Sequence, residues 1–411
     1  MLNGCSKRGR QRNKRVMRVR KRSKAPVSQQ IAFRVDASVQ IGTGHVMRCL
    51  TLANALHEFG AECHFLCREH EGHLVEYIEA QGFQVYRLNP ASPMEIKSLV
   101  STQDTPLPYH VQWLEVPWQV DAFACRPILE LIAPDWLVVD HYALDARWEG
   151  AACPINTRLL VIDDLADREH LADMLLDQNL GRKKGDYTDL TPTHCRKLIG
   201  PKVALLRPEF AQWRVANLAR CLQKPKVTRL LITLGGVDKD NVTGQVLEAL
   251  NDCSLPEKCE ITVIMGATAP WLDDVKIKAN ALSWPTEVVV NVNNMAQRMA
   301  EADLAIGAAG STSWERCCMG LPTLMLVLAE NQRDIAHALH KAGAAVCLGN
   351  ANSSSWQFLL HQLIAKITMD SSYRNDIASK AAEVTNGEGV SFLVGLMMKD
   401  NHEYNPFVHQ C

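Results

Sequence analysis

The residues best suited to chemistry lie in the stretch DASVQIGTGHVMR, from Asp36 to Arg48. A predicted strand ends here and a helix begins, and Gly42 and Gly44 in the turn can adopt positive φ and let a ligand approach the backbone. His45 falls in the first helical turn, where the positive end of the dipole disfavours a protonated ring, so that a neutral imidazole can act as a general base. We take Asp36, Gly42, Gly44 and Arg48 as candidate substrate contacts. A capping or loop histidine is the alternative reading of His45.

A second glycine turn follows a predicted strand within ADLAIGAAGSTSWERCCMGLPTLML, residues 302–326. Gly310 opens the turn, and Ser311 and Thr312 begin a helix whose first N–H groups and hydroxyls suit a pyrophosphate. Glu315 in the first turn of that helix either stabilises the helix start or accepts both hydroxyls of a ribose.

Polar residues also follow other predicted strands, at the sheet edge where ligand sites form in this architecture. Turns and helix caps use the same residue types, so each position is open between a structural role and a ligand contact. We take Tyr142, Gly235 and Gly236 as candidate substrate contacts. The full set is Asp140, His141 and Tyr142; Asp163, Asp164 and Arg168; Gly235, Gly236, Asp238 and Asn241; and Gly266.

Short apolar or β-branched runs alternate with helical stretches, which is typical of βα units around parallel sheets. The first strand is predicted over 31–36, followed by an amphipathic helix over about 45–59, and residues 89–117 are predicted to be a loop or insertion. The pattern restarts after residue 225. Further strands are predicted over 63–67, 83–88, 136–140, 159–163, 174–178, 230–234, 261–265, 288–290, 304–306 and 323–327.

The predicted fold is therefore α/β, with two Rossmann-like domains over 29–223 and 224–400. Such sheets bind ligands at the carboxyl ends of their strands, so two of them facing each other form a cleft with a nucleotide on one wall. Tails over 1–28 and 401–411 flank the two domains.

Charge is distributed unevenly along the chain. Residues 1–24 hold eleven Lys and Arg and no acidic residue, and because the formal net charge is -1, the remainder carries an excess of twelve negative charges. The tail lacks apolar periodicity and is predicted to stay disordered. The basic tail is the only feature that would support a nucleic-acid-associated binding protein. It has no interleaved aromatic residues and the rest of the chain is acidic, so no nucleic-acid partner is expected.

No apolar run approaches the roughly 20 residues that a membrane-spanning helix needs, and no apolar segment follows the basic start as in a secretory signal. We expect a cytoplasmic protein without a membrane partner. The 14 cysteines are dispersed and form no CxxC pair, which indicates reduced thiols. A metal site is conceivable at four closely spaced ligand-type residues, Cys63, Cys67, His70 and His73. The alternation of Cys63 and Cys67 instead favours one buried face of a strand. No metal and no cofactor are expected.

From about residue 31 to 349 the chain resembles the UDP-2,4-diacetamido-2,4,6-trideoxy-β-L-altropyranose hydrolases of pseudaminic acid biosynthesis. The stretches that carry this resemblance are IAFRVDASVQIGTGHVMRCLTLANAL, VVDHYALDARWE, VIDDLADREHLADMLLDQNLGR, LIGPKVALLRPEF and ITLGGVDKDNVTGQVLEAL. The second half is also similar to the UDP-GlcNAc-binding domain of the bacterial lipid-intermediate glycosyltransferase MurG, through NNMAQRMAEADLAIGAAGSTSWE, GLPTLML and ENQRD. Residues 1–27 have no counterpart.

The resemblance implies a GT-B architecture in which the C-terminal domain holds UDP and water attacks from the N-terminal side. The histidine that activates this water falls on His45, and the ribose-binding glutamate falls on Glu315. Asn331 and Gln332 would address the sugar or the phosphates, and main-chain groups near Met295 would face uracil. The implied reaction breaks the anomeric carbon–oxygen bond of a UDP-linked deoxyamino sugar with inversion and releases UDP and the free sugar.

Two enzymatic alternatives share this fold. A GT-B glycosyltransferase would need an acceptor site and usually a membrane-facing apolar patch, and no conspicuous patch is readable in the N-terminal half. A hydrolase for a related UDP-amino sugar fits the same motifs, because the stereochemistry of individual ring carbons depends on side chains that the sequence does not place.

Overall fold

The computed structural model of the 411-residue chain describes residues 1, 28–90, 108–223, 226–267 and 269–399. Apart from Met1 and Ser28, the tails predicted over 1–28 and 401–411 lie outside these residues, as does most of the loop predicted over 89–117. The described part of the chain forms two parallel sheets covered by helices. The predicted α/β class with two Rossmann-like domains is therefore confirmed.

The first sheet has seven parallel strands in the order β3-β2-β1-β4-β5-β6-β7. Val35 at the end of β1 pairs with Asp140 at the end of β4, so both strands end at the same level. The strands are β1 (Gln30–Val35), β2 (Glu62–Arg68), β3 (Gln84–Leu88), β4 (Trp136–Asp140), β5 (Arg158–Ile162), β6 (Met174–Asp177) and β7 (Arg196–Ile199).

Both faces of this sheet are buried, which is why its central strands read as continuous apolar runs. On one face Ile31 and Phe33 join an apolar core with the helix Gly44–Glu58. On the other face Ala32 joins a core with the helices Trp118–Ile132 and Ala146–Ala152. The helices of this half are α1 (Gly44–Glu58), α2 (Val75–Ala80), α3 (Trp118–Ile132) and α4 (Ala146–Ala152), with 3-10 turns at Val111–Leu114, Lys184–Tyr187 and Pro201–Val203.

The second sheet has six parallel strands in the order β10-β9-β8-β11-β12-β13. Its strands are β8 (Arg229–Thr233), β9 (Glu260–Met265), β10 (Thr286–Val290), β11 (Leu304–Ala308), β12 (Thr323–Val327) and β13 (Val346–Asn350). The remaining helices are α5 (Pro208–Gln223), α6 (Val242–Leu250), α7 (Leu272–Ala281), α8 (Met295–Glu301), α9 (Thr312–Cys318), α10 (Arg333–Lys341), α11 (Trp356–Met369), α12 (Ser371–Val384) and α13 (Gly389–Lys399), with a 3-10 turn at Glu330–Gln332.

The strands predicted from the sequence form within one or two residues of their expected ends, but two edge strands were not predicted. β7 is four residues long and contains Arg196 and Lys197, so it has no apolar periodicity of its own. β13 carries Gly349 at φ +109°, beside a register shift against β12. Edge strands of this kind depend on pairing with a neighbour more than on their own composition.

Two helices pack on the domain opposite to their position in the sequence. Phe210 of α5 lies in the core of the second domain, whereas Leu393 and Val394 of α13 lie in the core beneath the first sheet. Trp136 of β4 also donates a hydrogen bond from Nε1 to the carbonyl oxygen of Met397, at 3.4 Å. The predicted domain ranges, 29–223 and 224–400, remain a prediction. These two helices nevertheless pack on the domain across the predicted boundary, because their apolar faces contact the core of that domain.

The packing of α13 generates a prediction for stability. Leu393→Ala removes a side chain with no exposure from the first core, which costs about 2 to 5 kcal/mol in the free energy of unfolding. The neighbouring Phe392 is 48% exposed, so Phe392→Ala should cost less than about 1 kcal/mol. Denaturant unfolding of both variants is the measurement, and equal losses would contradict the docking of α13 on the first domain.

Candidate active site

A cleft of about 460 Å³ lies between the two sheets and is lined by the segments that follow their strands. The two predicted glycine turns face each other across it: a Cβ atom built on Gly44 would lie 3.5 Å from Ser311 Oγ. One on Gly236 would lie 3.9 Å from Thr43 Oγ1. The cleft thus joins the ends of β1, β4, β5 and β6 to those of β8 and β11, as the two-domain prediction required.

His45 lines the cleft at the start of α1, beside the buried carboxylate of Asp140. Its Nδ1 lies 2.6 Å from Asp140 Oδ1. An ionised carboxylate only accepts hydrogen bonds, so in the neutral ring Nδ1 carries the proton and Nε2 keeps the lone pair. No hydrogen bond from Nε2 to another described residue is present. This geometry orients the imidazole as a base without a competing partner.

Arg48, one turn further along α1, completes the surroundings of Asp140. Its Nε and Nη2 donate to the two oxygens of Asp140, each at 2.6 Å. Burial would raise the pKa of Asp140, but the charge of Arg48 and then that of His45 hold this pKa well below its usual range. The carboxylate is therefore ionised.

Arg48 also connects the base to the next strand end. Its Nη1 donates to Asp164 Oδ2 at 2.6 Å, and Tyr142 OH donates to the same oxygen at 2.7 Å. The Tyr142 ring meets the His45 ring edge to face, with centroids 4.6 Å apart. Asp140, Tyr142 and Asp164, three of the strand-end residues whose role the sequence left open, thus form one hydrogen-bonded unit with His45 and Arg48.

An aromatic group outside the predicted motifs supports this unit. Trp113, in the segment predicted to be a loop or insertion, stacks on Tyr142 with centroids 5.5 Å apart, and His110 lies 4.4 Å from Trp113 by ring centroids. Sequence reasoning missed both residues, because a Trp and a His in a Pro-rich segment carry no periodic signal. Trp113 and His110 both pack against Tyr142, the ring that contacts His45.

Asp36 does not line the cleft, which corrects its prediction as a substrate contact. It has no solvent exposure, and its Oδ1 accepts from Arg34 Nη1 at 2.6 Å and from the Arg68 main-chain N–H at 2.7 Å. Its Oδ2 lies 3.3 Å from Nε2 of both His70 and His141. Burial opposes ionisation, but Arg34 holds the pKa of Asp36 well below its usual range. Asp36 therefore ties the ends of β1, β2 and β4 together beneath the site.

Gly235 sits on the second wall at φ +103°, a conformation that favours glycine. Gly310 lies against Gln332, whose amide nitrogen is 3.7 Å from a Cβ built on that glycine. Gln332 Oε1 accepts from the Leu328 N–H at 3.0 Å, which fixes the side chain. All the candidates predicted for this wall line the cleft, namely Gly235, Gly236, Met295, Gly310, Ser311, Thr312, Glu315, Asn331 and Gln332.

Two ionisable side chains, Glu315 and Arg316, lie near Ser311 at the second wall of the cleft. Burial raises the pKa of Glu315 to about 7, and nearby Arg207 partly offsets this rise. Arg316 is 1% exposed and donates to the Ala308 carbonyl at 2.6 Å and to Thr312 Oγ1 at 3.1 Å. Burial lowers the pKa of Arg316 to about 10. A buried cation therefore stands directly behind the hydroxyl-bearing turn, and sequence reasoning did not single it out.

Other strand-end residues have structural roles. Asp238 accepts from the Val242 and Thr243 N–H groups at 2.9 and 2.8 Å, so it caps α6, and Asn241 accepts from the Gly244 N–H at 3.1 Å. Cleft-lining residues that sequence reasoning did not select as contacts include Gln178, Asn179 and Arg207, although all three lie within the stretches quoted for the resemblance.

The cysteine–histidine group considered as a metal site is divided between other roles. Cys63 and Cys67 lie in the first core, as their alternation predicted, and His70 Nδ1 lies 3.0 Å from Glu115 Oε2. In the described ranges no group of three or more His, Cys, Asp or Glu side chains is arranged to hold a metal ion. None of the helices in those ranges combines the length and apolarity that a bilayer crossing demands.

Comparisons with known proteins agree with this architecture. Residues 229–390 match the glycosyltransferase family 28 C-terminal domain. The chain is 26% identical over 317 residues to a UDP-2,4-diacetamido-2,4,6-trideoxy-beta-L-altropyranose hydrolase of Campylobacter jejuni, covering 77% of this chain and 98% of that protein. It is 26% identical over 309 residues to an uncharacterized protein of Methanocaldococcus jannaschii, covering 74% of this chain but only 57% of that protein.

Among solved structures, Acinetobacter baumannii MurG superimposes with a TM-score of 0.62 at 16% identity, covering 90% of this chain and 99% of MurG. At that identity the likeness concerns the fold alone. Together with the two facing parallel-sheet domains, it shows that the chain has a GT-B-like fold.

The buried Asp140 unit generates a prediction for stability. Asp140→Asn leaves Arg48 with a charged partner only at Asp164 and should lower the free energy of unfolding by about 3 kcal/mol at pH 7. Glu130→Gln, which breaks an exposed pair with Arg126, is the control and should cost less than about 1 kcal/mol.

The stabilisation that the ionised Asp140 gives to the fold depends on pH. Because the pKa of Asp140 is lowered on folding, its stabilising contribution is complete above the ordinary aspartate pKa of about 4 and is lost as the pH falls below it. The difference between wild type and Asp140→Asn in denaturant unfolding should therefore shrink under acid conditions. A difference that stays constant from pH 7 to pH 3 would contradict the ionised state of Asp140.

Proposed function

We propose that the chain is a hydrolase that cleaves the anomeric carbon–oxygen bond of a UDP-linked deoxyamino sugar and releases UDP and the free sugar with inversion. The substrate that we propose is UDP-2,4-diacetamido-2,4,6-trideoxy-β-L-altrose. The observation that carries the proposal is the His45 imidazole, whose Nδ1 is held 2.6 Å from Asp140 while its Nε2 remains available on the cleft side. The similarity to the Campylobacter hydrolase supports the choice of substrate.

In the proposed reaction His45 Nε2 accepts a proton from water as the water oxygen attacks the anomeric carbon. Asp140 keeps the proton on Nδ1 and stabilises the imidazolium that forms, as an oriented carboxylate does in other histidine bases. The bond between the anomeric carbon and the phosphate oxygen breaks on the opposite face, and its electron pair leaves with UDP. Attack opposite the leaving group inverts the anomeric configuration.

The second wall offers complementary groups for the leaving UDP. Ser311 and Thr312 present hydroxyl donors to the pyrophosphate, and the buried Arg316 behind them adds positive charge. Glu315 would accept the two ribose hydroxyls, and such donors favour its ionised form. We assign Asn331 and Gln332 to the sugar or phosphates and the main chain near Met295 to uracil. The proposed reaction uses no metal ion.

The alternative function is transfer of the sugar to an acceptor other than water. It is favoured by the match of residues 229–390 to a glycosyltransferase domain and by the GT-B-like fold. Both functions share the nucleotide wall and differ only in what occupies the space beside His45. The Asp140–His45 pair supplies the base that either a water molecule or an acceptor hydroxyl needs, so the requirement for an acceptor separates the two functions.

Purified protein should release UDP from the diacetamido sugar nucleotide in the absence of any acceptor, at a rate of at least about 1 per second. Chelator-treated protein should keep this rate. A panel of UDP-sugars, followed by UDP release and by NMR of the first-formed anomer, measures specificity and stereochemical outcome together. UDP release only when an acceptor is added would instead establish a transferase.

His45→Asn tests the base. Asparagine can hold a water molecule but cannot take its proton, so turnover should fall about 10² to 10⁴-fold. The affinity for UDP, measured by calorimetry, should stay within about twofold of wild type, because the nucleotide wall is unchanged. Near-full turnover with normal UDP binding would exclude His45 as the base.

A further inference from the structure

Buried polar atoms without a partner are rare in folded proteins because each costs free energy. In the described part of the chain, three cleft-lining residues keep such an atom: Asp164 at Oδ1, Asn179 at Oδ1 and Trp314 at Nε1. The first two are acceptors on the wall that carries His45, and the third is a donor on the opposite wall. This arrangement is complementary to a molecule with donors at one end and acceptors at the other.

The two acceptors are neighbours at the ends of β5 and β6. Asn179 is only 8% exposed, and its Nδ2 donates to the main-chain oxygen of Asp164 at 2.9 Å. A flipped amide would place two acceptors against each other, so this bond fixes Oδ1 as the free atom. Asp164 Oδ2 is occupied by Arg48 and Tyr142, which leaves Oδ1 as its free atom.

The adjacent Asp163 shows that the fold does satisfy carboxylates here when their role is structural. Its Oδ1 accepts from Arg168 Nη1 at 2.8 Å, and its Oδ2 accepts from the Ala166 N–H and from Tyr187 OH, both at 2.9 Å. Asp140 likewise has donors on both oxygens. The unpaired oxygens of Asp164 and Asn179 therefore contrast with these two satisfied carboxylates, and their residues line the cleft.

We propose that Asp164 and Asn179 form the subsite that recognises the sugar part of the substrate, by accepting hydrogen bonds from its N–H or O–H groups. Arg48 bridges Asp164 to Asp140, the partner of His45, so this subsite lies one side chain away from the base. The inference rests on the proposed function and deepens it. A site with two buried acceptors discriminates against sugars without a donor at that position, because their binding leaves the acceptors unpaired.

Asn179→Leu tests the subsite, since leucine has the same branching and the same number of side-chain heavy atoms as asparagine but no hydrogen-bond acceptor. Asn179 makes no hydrogen bond to His45, Arg48 or Asp140. The KM for the diacetamido sugar nucleotide should rise at least about tenfold while kcat changes less than about threefold. The inhibition constant of UDP should be unchanged, which also shows that the variant is folded. Unchanged KM would overturn the proposal.

The matched control is Asn217→Leu. Asn217 is 2% exposed and donates from Nδ2 to the Met319 carbonyl at 2.6 Å, so its replacement removes a comparable buried amide outside the cleft. Its KM should equal that of wild type. A rise in KM equal to that of Asn179→Leu would assign the effect to general loss of packing and overturn the subsite.

Equilibrium binding distinguishes the donor group and does not depend on turnover. Calorimetry compares wild type and Asn179→Leu with UDP, UDP-glucose and UDP-N-acetylglucosamine. Weaker binding of the acetamido sugar alone assigns the donor to an amide N–H, and weaker binding of both sugars assigns it to a hydroxyl. Equal weakening of all three ligands, or of none, overturns the subsite. Absence of UDP release by wild type, in contrast, would overturn only the hydrolase.

Discussion

A carboxylate without solvent exposure must be surrounded by donors, and Asp140 meets this requirement with Arg48 and His45. The same contacts that keep this charge inside the protein also orient the imidazole and leave its Nε2 free. Because His45 and Arg48 lie one turn apart on α1, a single helix supplies both partners. The position of the candidate base therefore follows from an electrostatic constraint on β4, together with the apolar packing of α1 against the sheet.

The parallel sheet makes this constraint possible. Pairing of Val35 with Asp140 brings the ends of β1 and β4 to one level, so the turn after β1 delivers α1 directly to the carboxylate. Asp36, at the end of β1, forms a second buried network. Its partners are Arg34, Arg68, His70 and His141. Removing one member of such a network leaves an unpaired buried charge, which is costly. The two networks hold the strand ends rigid where the proposed chemistry requires fixed geometry.

The two walls of the cleft divide the proposed reaction. The first domain carries the base and the unpaired acceptors beside it, and the second carries glycine turns, hydroxyls and a buried arginine suited to a nucleotide. Helices α5 and α13 cross between the domains and link their cores. The proposed hydrolysis and the alternative sugar transfer would both use the second wall, so the difference between the two proposals resides in the few groups around His45.

The sequence by itself determined the fold class, most strands, both glycine turns and nine of the residues that line the cleft from the second domain, because these depend on local periodicity and on the conformational needs of short segments. It also singled out His45 from its place at a helix start. Only the tertiary structure decided that Asp140 orients that histidine, that Asp36 is buried beneath the site, that Trp113 encloses it, and that Asp164 and Asn179 keep unpaired oxygens. These are contacts between strand ends far apart in the chain, where the same residue types serve equally as caps, turns or ligands until their partners are known.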